Sequence, residues 1–255
     1  MNTVSILGSR ISVLGSYRSA YQCVVEYVRS NKESAYITVN NVHTVIEGVW
    51  DAEYRSITNG ALLALPDGKP LSLVARWKGI RTISRVFGPT FFEKALDWGQ
   101  ADGVRHFLFG GSQPLLEALQ GVIRARFPRA QIVGAVAPPF RPFTSAENEA
   151  YLEQMNRSGA DIVWVALGAP RQERWMAVNY QKLKHGVMIG IGAGFDYLAG
   201  RTRHAPEWMK RYALEWLYRL IQEPRRLWKR YLVTNTLFII LVALELMGVK
   251  RWEGE

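Results

Sequence analysis

From residue 35 to about 200 the chain alternates short apolar runs with helix-length amphipathic ones, and that alternation limits the fold more than any other feature. Strand and helix in strict succession make βαβ units, in which each crossover helix returns the chain so that the next strand lies parallel to the last. The runs AYITVN (35–40), RHFLFG (105–110), QIVGAVA (131–137), DIVWVAL (161–167) and GVMIGIG (186–192) are short and rich in β-branched and aromatic residues. Strands buried on both faces read this way. Between them, SQPLLEALQGVIRARF places Leu115, Leu119 and Ile123 four residues apart, starts at Ser112 as N-cap and stops before Pro128. The expected fold is α/β, a Rossmann-like, mostly parallel sheet flanked by helices, with residues 1–200 as the core.

After about residue 200 the alternation ends, and residues 201–255 read as a separate helical appendage. Trp208, Tyr212, Trp216 and Leu220 recur every four residues with Met209, Leu217 and Ile221 beside them, which predicts one amphipathic helix up to a break at Pro224. Beyond it Arg225, Arg226, Lys229 and Arg230 alternate with Leu227, Trp228, Tyr231 and Leu232, and TLFIILVALELMGV follows. That run is shorter than the roughly 20 apolar residues a bilayer span needs, and it contains Glu245, so the segment is expected either to lie in a membrane interface or to dock on the core as a C-terminal helix with a solvated basic face.

Thirty-two Lys and Arg against 22 Asp and Glu leave a net charge of +10, which favours anionic partners. Nucleic acid would call for basic residues interleaved with aromatics along the core. Here they gather beside apolar helix residues near the C-terminus, which favours an anionic membrane surface. The lone Cys23 allows no internal disulfide, and MNTVSILGSR lacks the apolar stretch of a secretory signal, so a cytoplasmic setting is expected.

In open α/β sheets ligands bind beyond the carboxyl ends of the strands, so the polar residues that close each apolar run are the site candidates. Thr38, Asn40, Asn41 and His43 close the first run, where an unpartnered amide or imidazole would cost about 1–3 kcal/mol if buried. For His43 a hydrogen bond to a nearby main-chain carbonyl is the expectation. Asp67 closes ALLALP ahead of a turn-forming Gly68. Gly110 and Gly111 join a strand to the helix that opens with Gln113, whose free N–H groups would attract phosphate. Gly168 and Pro170 precede Arg171, Gln172 and Glu173, and Gly190, Gly192 and Gly194 let a ligand or a neighbouring backbone come close. Taken singly, each group also has an ordinary structural reading as a turn or a helix start.

Two other chemistries fit poorly. Phe195 stands where a dinucleotide fingerprint would place its third glycine, which argues against a nicotinamide enzyme. The four histidines are not paired at metal-ligand spacing, and no Asp-x-Asp is present to hold a divalent ion against a diphosphate. No metal and no cofactor are expected, and positive side chains must then neutralise the phosphates.

In order along the chain, TVNNVHTV, ALPDG, RTISRVFGP, LFGGSQPLLEAL, VALGAPRQERW, GIGAGFDYLAG and HAPEWMKRYALEWLYRLIQEPRRLWKRYL resemble the WecG/TagA/CpsF family of bacterial glycosyltransferases over about residues 35–232. The resemblance implies an inverting enzyme of the GT-E fold that moves a hexose or hexosamine-type sugar from a UDP-sugar onto a polyprenyl-diphosphate-linked saccharide. It implies Asp67 as general base, with Gln172 in the catalytic pocket and Thr38 and Asn40 lining it. Asn41, Gly110, Gly111, Gln113, Arg171, Glu173 and Gly192 join these as substrate-binding candidates. Arg85 matches the family's pocket arginine. Arg219 and Arg226 match appendage arginines that reach diphosphate, and Lys229 or Arg230 would add a third positive charge. The implied location is the cytoplasmic face of the bacterial inner membrane, as a peripheral protein, with a homo-oligomer as one option for its exposed apolar appendage. Thr90 stands where many members carry an acidic residue, and His204-Ala205-Pro206 where many have Arg-Ala-Pro. The long apolar tail after Leu232 resembles exopolysaccharide-pathway members. A rival reading is a non-enzymatic basic protein that binds membrane or nucleic acid on a Rossmann-like core.

Overall fold

The computed structural model describes residues 2–30 and 33–252; residues 253–255, the end of the expected appendage, lie outside them. Along the chain the first elements are β1 (Thr3–Ile6), β2 (Ser9–Ser12), α1 (Tyr17–Ser30), β3 (Ala35–Asn40), α2 (Val42–Trp50), α3 (Ala52–Asn59), β4 (Leu63–Pro66), α4 (Lys69–Trp77) and α5 (Gly88–Asp102). β5 (Arg105–Gly110), α6 (Gln113–Arg126), β6 (Gln131–Val136), α7 (Ser145–Ser158), β7 (Ile162–Ala166), α8 (Arg171–Asn179), β8 (Val187–Gly190) and α9 (Gly194–Leu198) follow. The chain closes with α10 (Glu207–Arg211), α11 (Glu215–Gln222) and α12 (Pro224–Leu246).

The expected α/β architecture is present. A six-stranded sheet runs in the order β4-β3-β8-β7-β5-β6, with β3 on β8, β8 on β7, β7 on β5 and β5 on β6 all parallel. The five strands read from sequence are five of its six. The sixth, β4, is the LALP run that leads to Asp67, too short for a periodic signal. The hairpin β1–β2 was also not foreseen. Its turn residues Leu7 and Gly8 have φ of 51° and 79°, the pair of positive values a two-residue hairpin turn demands, and Leu7 adopts its value while fully buried.

By packing, the chain forms two compact units. One holds Tyr17–Thr38 and Gly88–Thr202, that is, most of the parallel sheet. Its interior is aromatic: Phe92 meets Trp164 at 4.9 Å and Phe195 at 5.5 Å between ring centroids. Its helices start where local chemistry allows. Thr144 caps α7 reciprocally with Glu147, and α6 begins after Ser112 as expected, although the serine hydroxyl makes no capping bond.

The other unit combines Met1–Ser16, Val39–Phe87 and Arg203–Glu255. Its core joins Val4, Ile6, Leu7 and Ile11 of the hairpin region to Val45 and Ile46 of α2, Leu71 and Val74 of α4, and Phe238 and Val242 of α12. The C-terminal helix is therefore part of this core along one face. The single helix expected from Trp208 to Pro224 is two short ones, because Ala213 adopts φ 61° between α10 and α11. A left-handed alanine ends a helix, and Trp208 and Tyr212, expected on one apolar face with Trp216 and Leu220, are exposed.

Glu245 shows how α12 is seated. Its carboxylate accepts the main-chain N–H of Leu7 at 2.9 Å and pairs with Lys78 Nζ at 3.2 Å, and that ammonium also donates to the Ser5 carbonyl at 2.8 Å. The residue that seemed to bar a bilayer span is thus a buried anchor at the helix end. Glu245→Ala is expected to lower stability by about 3 kcal/mol, because the Lys78 charge and the Leu7 N–H both lose their acceptor. Urea unfolding of the full chain checks this.

Candidate active site

The unit that contains the C-terminal helices gathers one charged cluster. The Asn40 carbonyl at the end of β3 accepts the N–H of Asp67 at 2.8 Å and of Gly68 at 3.3 Å, so the turn carrying the half-buried Asp67 is fastened to the strand end. Asn40 is itself buried, and its Oδ1 lies 3.4 Å from the Thr44 hydroxyl. Asn41 caps α2: its Oδ1 accepts from the N–H of His43 at 3.0 Å and of Thr44 at 3.3 Å, and Thr44 Oγ1 accepts the Asn41 N–H in return. The spoiled end of the apolar run is in this respect a helix start.

Arg85 is held from three sides. Its Nε donates to the Asp67 carbonyl, one Nη pairs with the Glu215 carboxylate, and its guanidinium stacks 4.5 Å from the Phe87 ring centroid. Burial raises the Glu215 pKa, the nearby Arg85 opposes that rise, and the Asp67 charge adds to it. From α11 and α12, Arg219 and Arg226 flank Glu223 at 3.8 and 2.7 Å. Arg230 lies more buried, its pKa lowered by that burial, and it faces the charges of both Arg219 and Arg226, whereas Lys229 is exposed. Tyr231, its pKa raised by burial, is acted on by Arg219, Arg230 and Asp67 together.

His43 does not make the expected bond to a main-chain carbonyl through its Nδ1. That nitrogen is buried without a hydrogen-bond partner, 3.7 Å from Glu47. Burial, with Arg230 adding to it, lowers the His43 pKa from 6.5 to about 4. The unfolded chain takes up this proton below about pH 6.5 and the folded chain only near 4. His43 therefore favours the fold above pH 6.5, and up to about 3 kcal/mol is lost as the pH falls from 6.5 to 4. His43→Gln is expected to flatten the pH dependence of the urea midpoint over that range.

The sheet unit holds the remaining candidates. Gln172, buried in the first turn of α8, accepts the Gly192 N–H at 3.1 Å and donates to Glu173 Oε1 at 2.8 Å. A side chain at Gly190 would come within 3.0 Å of the Gln172 amide, so that glycine lets the glutamine lie on β8. Gly110 has a packing reason too: a Cβ there would sit 2.4 Å from the Ala166 carbonyl oxygen of the neighbouring strand. Gly111 has φ 72°, as a left-handed turn before α6 requires. Thr38 is fully buried in β3. Gln113 is exposed and bonds Glu117, while Arg171 donates to the Arg141 carbonyl and stacks on Phe143 at 4.7 Å.

Of the predicted set, Asn40, Asn41, Asp67, Arg85, Arg219, Arg226, Lys229 and Arg230 fall in the unit that contains the C-terminal helices. Thr38, Gly110, Gly111, Gln113, Arg171, Gln172, Glu173 and Gly192 fall in the sheet unit. Glu215, Glu223 and Tyr231 belong to the charged cluster but were not singled out from sequence. All three stand in the segment EWLYRLIQEPRRLWKRYL, whose aromatic spacing drew attention from its acids.

The sequence model described as Glycosyl transferase WecG/TagA/CpsF family matches residues 4–251, nearly the whole chain. The chain belongs to this family. It is a glycosyltransferase, as its relatives are. A protein of Bacillus subtilis (strain 168), named N-acetylglucosaminyldiphosphoundecaprenol N-acetyl-beta-D-mannosaminyltransferase, is 32% identical over 202 residues, covering 79% of this chain and 76% of its own. A protein of the same name from Bacillus spizizenii (strain ATCC 23059 / NRRL B-14472 / W23) is 28% identical over 206 residues, covering 81% and 77%. The family match extends over β1 and β2 and over α12, beyond the stretch whose motifs carried the resemblance.

Proposed function

We propose that this glycosyltransferase moves a hexosamine-type sugar from a UDP-sugar onto a polyprenyl-diphosphate-linked saccharide, with inversion, at the cytoplasmic face of the bacterial inner membrane. The observation that carries the reading is the cluster of one unit: a carboxylate, Asp67, in the same electrostatic neighbourhood as Arg219 and Arg230, with Arg226 beside them. The names of the two relatives support an N-acetylglucosaminyl-diphosphoundecaprenol acceptor and an N-acetylmannosamine donor sugar as first choices.

The acceptor hydroxyl attacks the anomeric carbon from the face opposite UDP. As the new C–O bond forms, Asp67 takes the hydroxyl proton, and the old bond breaks with its electron pair leaving on the UDP oxygen. The growing diphosphate charge is met by Arg219, Arg226 and Arg230, whose planar forks suit phosphate oxygens. His43, neutral near pH 7, adds no charge to that group. Because arginines provide the neutralising charge, turnover is expected to survive a chelator.

The membrane role rests on the outer side of α12, a helix long and apolar enough to cross a bilayer by length and composition alone. Trp228, Leu232 and Ile239 are exposed along one stripe, with Ile240 next to it and Arg225 and Lys229 nearby. The opposite side carries Phe238, Val242 and Glu245 into the core, so we assign α12 to the interface rather than to a span. A Trp228→Glu, Ile239→Glu chain is expected to bind anionic vesicles more than about tenfold more weakly with an unchanged melting temperature. Vesicle sedimentation checks it.

The test of the function is a donor panel. Purified chain on anionic vesicles, with polyprenyl-diphosphate-linked N-acetylglucosamine, is given UDP-linked hexoses and N-acetylhexosamines, with and without chelator. Acceptor-dependent UDP release from one donor supports the reading, and none from any donor overturns it.

A further inference from the structure

The mechanism above leaves Glu215, a half-buried acid of the cluster, unused. Glu215 opens α11, and its carboxylate pairs with Arg85, the two side chains being 18% and 16% exposed. Arg85 turns its Nε to the main-chain carbonyl of Asp67. The same peptide segment is fastened on its other side by the Asp67 N–H on the Asn40 carbonyl, and the next strand of contact is the Val86 N–H on the Pro66 carbonyl at 2.8 Å. Asp67 thus has its N–H fixed by β3 and its C=O fixed by a guanidinium that is in turn oriented by Glu215.

We propose that Glu215 is a positioning residue for transfer: it holds the Arg85 fork in the plane that fixes the Asp67 carbonyl, and so sets the direction of the carboxylate that takes the proton. The inference rests on the reading of Asp67 as base. A guanidinium can serve two acceptors at once because its donors lie in one rigid plane, and a half-desolvated ion pair holds that plane more firmly than an exposed one. Without Glu215 the Arg85 charge loses its partner and the guanidinium turns towards water or towards the Asp67 carboxylate itself. Either movement redirects the base. The stacking of Arg85 on Phe87 resists sliding in the plane of the ring but does not choose which nitrogen faces Asp67.

A purely structural Glu215 would only anchor α11. The two roles separate in steady-state kinetics of the full chain on anionic vesicles, with the donor and acceptor panel above and thermal unfolding of each variant alongside. Glu215→Gln is expected to lower kcat by about 10–100-fold with donor KM within about twofold, since misplacing a reacting group by about 1 Å costs that much. Glu215→Asp, which keeps the charge, should recover part of the rate, and it supplies the measurement if the Gln variant does not melt cooperatively. Arg85→Lys should lose as much, because an ammonium cannot hold both acceptors in one plane. The double variant Glu215→Gln, Arg85→Lys should lose no more than either alone. Wild-type kcat in both Glu215 variants, or fully additive losses in the double variant, overturns the positioning role while leaving the transferase in place. A wild-type chain that releases no UDP from any donor overturns the catalytic reading and this inference with it.

Discussion

Asp67→Asn is expected to reduce turnover by about 10²–10⁴-fold while leaving UDP affinity nearly unchanged. The substitution is nearly isosteric, and it leaves two main-chain bonds of this residue in place, its N–H to Asn40 and its C=O to Arg85. Both survive in asparagine, so the turn keeps its place. An amide cannot take up the acceptor proton, so the loss should fall on kcat. The arginines that would meet the diphosphate are untouched, and removing a negative charge from their neighbourhood can only favour an anion. UDP release kinetics and calorimetric titration with UDP check the two halves separately. A wild-type rate would remove Asp67 from the mechanism.

The second large effect concerns the C-terminal helices. From sequence, ending the chain near residue 200 should leave a folded but inactive core. The packing predicts otherwise: a chain ending at Thr202 should lose cooperative folding of the unit built on residues 1–16 and 39–87. Truncation strips Leu227, Phe238 and Val242 from buried positions and takes Glu245 from Lys78 and Leu7. Each apolar side chain contributes about 1.5–3 kcal/mol by burial, so the sum approaches the 5–15 kcal/mol that holds a typical domain together. Hydrogen exchange would show it directly, as fast exchange in α2, β4 and α4 with protection retained in β5 and β7. Protection retained in α2 and α4 would show that α12 is dispensable for this unit.

The parallel sheet was legible because strands buried on both faces must be apolar throughout, and AYITVN, RHFLFG and DIVWVAL state this without help from any partner. The candidate positions were legible as strand ends: Asn40 and Gly110 are the last residues of β3 and β5, and Asp67 follows β4. What those residues do locally was not legible. Asn41 and a ligand-binding asparagine look alike in sequence, and only the N–H groups of His43 and Thr44 reveal a cap. Gly110 reads as a phosphate loop until the Ala166 carbonyl appears 2.4 Å from where its side chain would be.

By itself the sequence determined the class of fold, five strands of the parallel sheet, the family, and the concentration of positive charge near the C-terminus. Fold class, strands and charge depend on periodicity and residue type, and the family on short motifs in order along the chain, all of which are local properties. Tertiary structure alone decided that the C-terminal helix shares a core with the N-terminal hairpin, that Ala213 divides the aromatic helix in two, and that Glu215 reaches Arg85 beside Asp67. Contacts between residues more than a hundred positions apart leave no periodic trace. They exist only once the chain has closed on itself and each buried charge has found its partner.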